Sequence, residues 1–283
     1  MWGEGPARRI CVLLHGLTEF IEKYDEVAGE LLARGFTVAT FDWRGQGQSA
    51  RLLEDTRKAH VVDFSEFDAD LTAFLDQIVR PLGDAPRIAL AHSMGAHVLL
   101  RRLHGHPNDV AAAALCAPML AVQTGKYPMW FTRALTALFN FHGPSEAFVW
   151  GSEERDPLML PFADNRVTSD PVRFERMQKL LHDHPEIRIC GPTFGWLGAA
   201  FRSMNRLNAP GFAEAITTPL LVFGAGRDQI VHVEPVRDFA QRLPHARYVE
   251  IAEAEHEILM ESDSIRAQFW AEFDKFVKEQ LPR

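Results

Sequence analysis

Apolar and polar positions along the chain follow two different periodicities. Short apolar runs, typical of strands buried on both faces, alternate with longer stretches in which apolar residues recur every three or four positions, as on amphipathic helices. The runs predict strands near residues 10–14, 36–41, 88–90, 111–115, 220–223 and 248–251. Strands that alternate with helices favour an α/β fold with a mostly parallel central sheet flanked by helices.

The alternation fails between Leu115 and Pro219, where the pattern is helical throughout. Connections between a strand and a helix usually take only a few residues, so a segment of this length is an insertion. We therefore predict an α/β core formed by residues 1–118 and 212–283, with residues 119–211 as a helical cap.

One apolar stripe in the predicted cap is a candidate for substrate binding. Phe194, Leu197, Phe201 and Met204 recur at helical spacing and define a single face. Two interpretations remain open: the stripe packs against the core, as most such stripes do, or it lines a pocket for an acyl chain.

Ser93 lies where a predicted strand meets a predicted helix, within the sequence Ala91-His92-Ser93-Met94-Gly95. A tight turn between strand and helix lifts a serine clear of the sheet and suits it to act as a nucleophile. The alternative is an ordinary serine that caps a helix. We expect His92, next to it, to serve in packing.

Two further candidates follow later strands. Asp228 comes after residues 220–223, and His256 lies in the loop beyond residues 248–251. The carboxyl ends of parallel strands meet at one edge of a sheet, so these side chains should approach Ser93. Nucleophile, acid and histidine occur here in the order that belongs to α/β-hydrolases, and the sequence thus predicts a Ser93–His256–Asp228 triad.

These features together resemble the monoacylglycerol lipase and lysophospholipase L2 branch of the α/β-hydrolases, also described as serine aminopeptidase-like hydrolases. The matching segments span nearly the whole chain, although Ala91 replaces the first glycine of the usual Gly-x-Ser-x-Gly pattern. They are residues 15–20 (HGLTEF), 41–49 (FDWRGQGQS), 91–95 (AHSMG), 226–228 (GRD) and 254–257 (AEHE), with residues 193–197 (TFGWL) and 256–261 (HEILME) closest to bacterial lysophospholipase-like members.

The resemblance implies an α/β-hydrolase fold with the helical cap inserted between the sixth and seventh strands. It also implies an oxyanion hole built from the backbone N–H groups of Leu17 and Met94, where each such donor is typically worth about 2.7–4 kcal/mol. His15 and Glu19 are expected to brace the loop that carries Leu17.

The implied activity is hydrolysis of carboxylic esters of lipid-like substrates, monoacylglycerols or lysophospholipids, through an acyl-enzyme. A general carboxylesterase, an aminopeptidase or an acyltransferase would use the same machinery and stays open, as does a ligand-binding protein that retains the triad without turnover. Epoxide hydrolases and haloalkane dehalogenases need an aspartate where this chain has Ser93.

The composition limits the classes of molecule that the protein is expected to bind. The formal net charge is −8, from 38 acidic and 30 basic residues, and no basic cluster tracks phosphates, so nucleic acid is not expected. No cofactor or metal is expected either. The sequence His182-Asp183-His184 contains candidate metal ligands, but its position before Pro185 favours a solvated helix end. Three cysteines cannot all pair, and we expect packed thiols.

The predicted location is cytoplasmic, with peripheral contact of the cap at the inner membrane. No apolar run reaches bilayer length, and the opening six residues contain no apolar core of a secretory signal. The resemblance also implies an antiparallel hairpin before residues 10–14, of which only a fragment around Trp2 is recognisable, so an exposed sheet edge is expected. The sequence leaves the oligomeric state open.

Overall fold

The computed structural model describes residues 1–3, 7–152 and 156–281. Part of the opening hexapeptide and residues 153–155 of the predicted cap therefore lie outside the described residues, as do the last two positions. The strands are β1 Ile10–Leu14, β2 Thr37–Ala39, β3 Lys58–Ala59, β4 Arg87–His92, β5 Ala112–Cys116, β6 Gly191–Pro192, β7 Leu220–Ala225 and β8 Ala246–Ile251. The α-helices are α1 Asp25–Ala33, α2 Ser65–Phe74, α3 Ser93–Gly105, α4 Met129–His142, α5 Pro171–Asp183, α6 Phe194–Asn208, α7 Val233–Arg242 and α8 Asp263–Gln280.

Six strands form one parallel sheet in the order β2-β1-β4-β5-β7-β8. This confirms the predicted parallel sheet. β2 is shorter than predicted because only Thr37 to Ala39 pair with β1, and β8 starts earlier because its ladder with β7 already begins at Ala246. β3 and β6 pair separately as a two-residue ladder.

The central strands are mostly apolar because helices cover both faces of the sheet. Successive residues of β1 point to opposite faces, so Val12 joins a core cluster with Leu71 of α2 and Val98 of α3, while Leu13 joins a second cluster with Phe273 of α8. The result is three layers, with helices on either side of the sheet. This arrangement leaves the carboxyl ends of the strands free to carry functional loops.

The long segment between β5 and β7 contains α4, α5 and α6. α4 and α6 pack together closely: Phe139 stacks on Phe194 with ring centroids 4.1 Å apart, and a Cβ on Gly198 would lie 2.4 Å from Asn140 Nδ2. α6 in turn places Trp196 in the core cluster that α2 and α3 share. The segment therefore rests on the core through α6 and carries α4 on its outer side.

The outer edge of β2 is paired at one point. Trp2 and Val38 form an antiparallel bridge with two backbone hydrogen bonds of 2.9 Å. Among the described residues, no helix combines the length and the apolar character that a bilayer-spanning segment needs.

Candidate active site

Ser93 occupies the turn between β4 and α3 with φ of 49°, in the left-handed region that residues other than glycine rarely adopt. Gly95 permits this turn because a Cβ there would lie 2.5 Å from the carbonyl oxygen of His15 and 2.7 Å from that of Leu14. Ala91, the departure from the usual glycine, lies inside β4 and is fully buried beside Leu14. Its methyl group is thus part of the core, and the turn survives the substitution.

His256 and Asp228 meet Ser93 at the carboxyl edge of the sheet. His256 Nε2 is 3.0 Å from Ser93 Oγ, and His256 Nδ1 is 2.7 Å from Asp228 Oδ2. The other carboxylate oxygen of Asp228 accepts hydrogen bonds from the backbone N–H groups of Ile230, at 2.8 Å, and Val231, at 2.9 Å. The structure therefore brings the three predicted residues into one hydrogen-bonded chain.

Asp228 is held as a carboxylate. Burial raises its pKa, but the charge and hydrogen bond of His256 and the two backbone donors outweigh burial, so the pKa of Asp228 lies below its usual value. A carboxylate can only accept, so His256 Nδ1 must carry the hydrogen of their shared bond. The lone pair of the neutral imidazole is then on Nε2 and faces the Ser93 hydroxyl, which is the tautomer a general base needs.

In the loop after β1, the backbone N–H groups on either side of Leu17 have acceptors. The N–H of Gly16 donates to the carboxylate of Glu19, and the N–H of Thr18 donates to Gln46 Oε1. Thr18 adopts a positive φ of 62°, which these bonds hold in place. Between them, the N–H of Leu17 has no acceptor within the part of the chain that the structure describes.

Met94 supplies the second predicted donor. It follows Ser93 in the first turn of α3, where backbone N–H groups lack partners within the helix. The helix dipole adds positive potential at this end. The positions predicted for an oxyanion hole thus hold two N–H groups that can donate hydrogen bonds to an oxygen atom on which negative charge develops.

A buried group of ionisable side chains lies behind the serine, and we call it the charged cluster: Glu19, Lys23, Tyr24, His92 and Glu257. Lys23 Nζ is 2.8 Å from Glu19 Oε1 and 2.5 Å from Glu257 Oε1. The Tyr24 hydroxyl donates to Glu19 Oε2 at 2.9 Å, and His92 Nδ1 is 2.9 Å from the same oxygen. Glu19 therefore braces its loop, as predicted, but it does so as the centre of a larger cluster.

His92 does more than pack, so the interpretation of this residue as a packing group was wrong. Its Nε2 is 3.2 Å from the backbone carbonyl oxygen of His256, and the two imidazole ring centroids are 4.7 Å apart. Because His92 ends β4 while its ring reaches Glu19, it joins the loop after β1 to the loop that carries His256.

In the charged cluster, the pKa of each group depends on its oppositely charged neighbours. Burial raises the pKa of Glu19, but Lys23 and His92 outweigh it and bring the pKa well below its usual value. Burial lowers the pKa values of Lys23 and His92, but the neighbouring Glu19 carboxylate outweighs burial and raises both above their usual values. Each buried charge is thus compensated by a partner, as buried charges must be.

The Asp228 loop is attached to the start of the inserted segment. Gln123 donates from its backbone N–H to the carbonyl of Ile230 at 2.8 Å and from its side-chain amide to the carbonyl of Asp228 at 2.7 Å. An antiparallel bridge between Val122 and Val231 completes the attachment. No local pattern in the sequence indicates this contact.

The His256 loop is attached to a later part of the same segment. The N–H of Glu257 donates to the carbonyl of Val167 at 2.7 Å. Buried Glu261 accepts from the N–H of Glu255 at 2.7 Å and from the N–H of Ser169 at 3.1 Å. Both loops of the candidate triad are therefore held by the inserted segment as well as by the sheet.

The four candidate substrate-binding residues lie on α6 and are buried: Phe194, Leu197, Phe201 and Met204. Leu197, Phe201 and Met204 contribute to the core cluster beneath α6, and Phe194 stacks on Phe139. The burial favours the packing interpretation for most of this face. A role in substrate binding stays a prediction.

The described residues contain no group of three or more histidine, cysteine, aspartate or glutamate side chains arranged to hold a metal ion. His182 and His184 are exposed at the end of α5. Cys11, Cys116 and Cys190 are buried free thiols, in accordance with the prediction of packed thiols.

Lys23, Tyr24 and Glu257 were missed by the sequence analysis. Two signals point to them in retrospect: Glu19 and Lys23 are four residues apart, the spacing of an ion pair within one helical turn, and Glu257 directly follows His256. Neither signal reveals that the two stretches meet, because they are separated by most of the chain.

A parallel sheet with a serine at a strand-to-helix turn, and with acid and histidine loops after later strands, has the α/β-hydrolase fold. The crystal structure of Paleococcus ferrophilus monoacylglycerol lipase shares it, with a TM-score of 0.73 and 23% sequence identity over 96% of this chain and 95% of that one. A family model described as serine aminopeptidase, S33, matches residues 5–263, and the chain belongs to this family.

Named proteins of similar sequence agree with this family assignment. The chain is 33% identical to lysophospholipase L2 of Escherichia coli strain K12 over 267 residues, which cover 92% of this chain and 77% of that protein. It is 27% identical to the probable lysophospholipase L2 of Haemophilus influenzae over 277 residues, which cover 98% and 86% of the respective chains.

Proposed function

We propose that the protein is a serine hydrolase that cleaves carboxylic esters of lipid-like substrates through an acyl-enzyme. The observation that carries the proposal is the continuous chain of hydrogen bonds from Ser93 through His256 to Asp228. The names of the relatives, which include lysophospholipases and a monoacylglycerol lipase, support lipid esters as the substrate class.

The proposed reaction follows from the orientation of the groups. His256 Nε2 takes the proton of Ser93 as Oγ attacks the ester carbonyl, and Asp228 stabilises the resulting imidazolium. The N–H groups of Leu17 and Met94 donate hydrogen bonds to the carbonyl oxygen as it becomes negatively charged. The imidazolium then protonates the leaving alcohol, and water repeats the attack on the acyl-enzyme with His256 again as the base.

We further propose that residues 119–211 act as a cap and that α4 rests on the lipid surface from which substrate is drawn. The exposed face of α4 is apolar: Trp130 is 71% exposed and Phe141 is 83% exposed, with Leu138 between them. Residues 121–144 contain Lys126 and Arg133 but no aspartate or glutamate, in a chain with net charge −8. Apolar residues on the exposed face of α4, with Lys126 just before the helix, suit an interface with phospholipid.

The decisive experiment is intact-mass analysis of wild-type protein and of Ser93→Ala after exposure to a fluorophosphonate. We expect one adduct on the wild type and none on Ser93→Ala, because only an activated serine reacts. Turnover would then be compared on monoacylglycerols, lysophospholipids, p-nitrophenyl esters and aminoacyl amides. Undiminished turnover by purified Ser93→Ala would rule out the proposed nucleophile, and preference for the amides would replace the lipid esterase with an aminopeptidase.

A further inference from the structure

His92 is bonded on both sides to groups that can only accept hydrogen bonds. Its Nδ1 faces the Glu19 carboxylate at 2.9 Å, and its Nε2 faces the carbonyl oxygen of His256 at 3.2 Å. A neutral imidazole has one N–H and could satisfy only one of these acceptors. Both bonds form only if both ring nitrogens carry hydrogen, that is, if His92 is an imidazolium.

The surroundings balance this charge. The titratable groups around His92 are Glu19, Lys23 and Tyr24 from the segment after β1, Cys116 from β5, and Glu257 and His256 from the histidine loop. Burial raises the pKa values of the Tyr24 hydroxyl and the Cys116 thiol, so these two groups add no charge. Lys23 Nζ pairs with the carboxylates of both Glu19 and Glu257. The ammonium of Lys23 compensates one of these two negative charges, and the other needs a second positive charge. An imidazolium at His92 makes the cluster neutral, whereas a neutral His92 leaves an uncompensated negative charge buried behind the serine.

The same bonds connect the two halves of the catalytic machinery. Glu19 fixes the N–H of Gly16, next to the free N–H of Leu17, and through His92 it also fixes the backbone of His256. Ser93 follows His92 directly in sequence, so the nucleophile, the base and the oxyanion loop all depend on one buried ion pair.

We propose that His92 is a positioning residue that is an imidazolium in the resting enzyme, and that the Glu19–His92 ion pair holds His256 and the Leu17 loop in register with Ser93. This inference rests on the proposed function for its effect on turnover. The charge state of His92 stands independently of it, because it follows from hydrogen bonds that need no substrate.

The first test measures the charge directly in wild-type protein. With histidine labelled by ¹⁵N, the ring nitrogens of His92 are identified by their loss in His92→Gln. We expect the pattern of a doubly protonated ring at pH 7 that persists well above the pH at which an ordinary histidine deprotonates. A neutral ring at pH 7 would overturn the proposal, whether or not any variant folds.

The second test measures positioning with a soluble p-nitrophenyl ester across neutral and alkaline pH. We expect Glu19→Gln and His92→Gln to lower kcat by about 100-fold with little change in KM, as displaced catalytic groups do. The wild type should lose activity at alkaline pH as His92 deprotonates. That loss should move to lower pH in Glu19→Gln, and it should be absent from the residual activity of His92→Gln.

The matched control is His104→Gln. His104 is a partly buried histidine that also contacts a backbone carbonyl, that of Phe212 at 3.2 Å, but it lies at the far end of α3, the helix that follows His92. We expect wild-type kinetics from this variant. Wild-type kcat and an unchanged alkaline profile in folded His92→Gln would overturn the positioning role. Absence of fluorophosphonate labelling and of turnover in the wild type would instead contradict the proposed function, and the ¹⁵N measurement would still decide the charge of His92.

Discussion

His92 and His97 lie five positions apart on either side of the serine turn, and their surroundings impose opposite protonation states. His97 Nδ1 is 2.6 Å from the carbonyl oxygen of Met119, and its Nε2 is 2.6 Å from Ser203 Oγ, which also accepts from Arg101 at 2.9 Å. Nδ1 therefore donates, and Nε2 accepts from the serine hydroxyl. Burial, without a nearby carboxylate, lowers the pKa of His97 to about 3.

This difference predicts acid sensitivity of the fold. Because the pKa of His97 lies near 3 in the folded state and near the ordinary histidine value of 6.5 in the unfolded chain, the unfolded state binds more protons between these two pH values. Stability should be unaffected by this group above pH 6.5 and should fall below it by about 1.4 kcal/mol per pH unit.

Urea unfolding at a series of pH values checks this prediction, with His97→Gln as the comparison. The variant should be less stable at pH 7, since it loses packing and hydrogen bonds, but its stability should decline less steeply in acid. Equal slopes for the two proteins between pH 4 and 6 would show that His97 is not the responsible group.

At the scale of elements, α4 differs from the other helices in the direction its apolar residues face. Its inner side packs on α6 through Phe139, whereas Trp130, Leu138 and Phe141 face outward. An amphipathic helix in an ordinary globular protein has its apolar face toward the core. α4 therefore has two apolar sides, and only one is covered by the protein.

We expect Trp130→Ser combined with Phe141→Ser to weaken binding to phospholipid vesicles by at least tenfold, because each large side chain contributes roughly 1.5–3 kcal/mol when it leaves water. Co-sedimentation with phosphatidylethanolamine and phosphatidylglycerol vesicles measures the change. Hydrolysis of a soluble p-nitrophenyl ester should remain at the wild-type rate.

Ile78→Ser is the matched control. Ile78 is also a large, exposed apolar residue, with 46% of its surface accessible, but it lies on the surface of the α/β core region and not in the predicted cap. It should bind vesicles like the wild type. If the control and the double variant lose binding equally, α4 is not the lipid-contacting element.

The sequence predicted those elements whose pattern of apolar and polar residues lies within a short stretch of the chain. Apolar runs marked the six strands of the main sheet, and the position of Ser93, Asp228 and His256 after strands predicted that they would meet. The charged cluster could not be predicted in this way, because Lys23 and Glu257 come from opposite ends of the chain and look like surface residues in sequence. The burial of Phe201 was likewise undetermined, since one apolar stripe fits both a core and a pocket.

At the scale of the whole molecule, Arg173 of α5 joins the inserted segment to the core. It bonds Glu26 of α1 at 2.6 and 3.0 Å, Asp170 at 3.1 Å, the carbonyl of Glu261 at 3.0 Å and Asp263 of α8 at 2.6 Å. Its hydrogen bonds to Glu26 are the main reason that the pKa of this glutamate falls to about 2. One side chain thus holds three helices together.

Arg173→Met should lower the free energy of unfolding by about 2 kcal/mol, because it leaves several partly buried acceptors without their donor. Lys179→Met on the same helix is the control, since its pair with Asp183 is exposed to solvent and should contribute little to the free energy of unfolding. Chemical denaturation of both variants checks the difference. Similar losses from the two would mean that Arg173 does not connect the segments.

The hydrogen bond between Ser93 and His256 closes over 163 positions of the chain. During synthesis from the amino end, the proposed nucleophile is therefore made long before its proposed base, and a partly made chain that ends before β8 lacks His256. Contacts of such sequence separation also form late in folding, because closing a long loop costs entropy before the contact can compensate. Under the proposed function, a reactive Ser93 is consequently a marker of the completely folded protein.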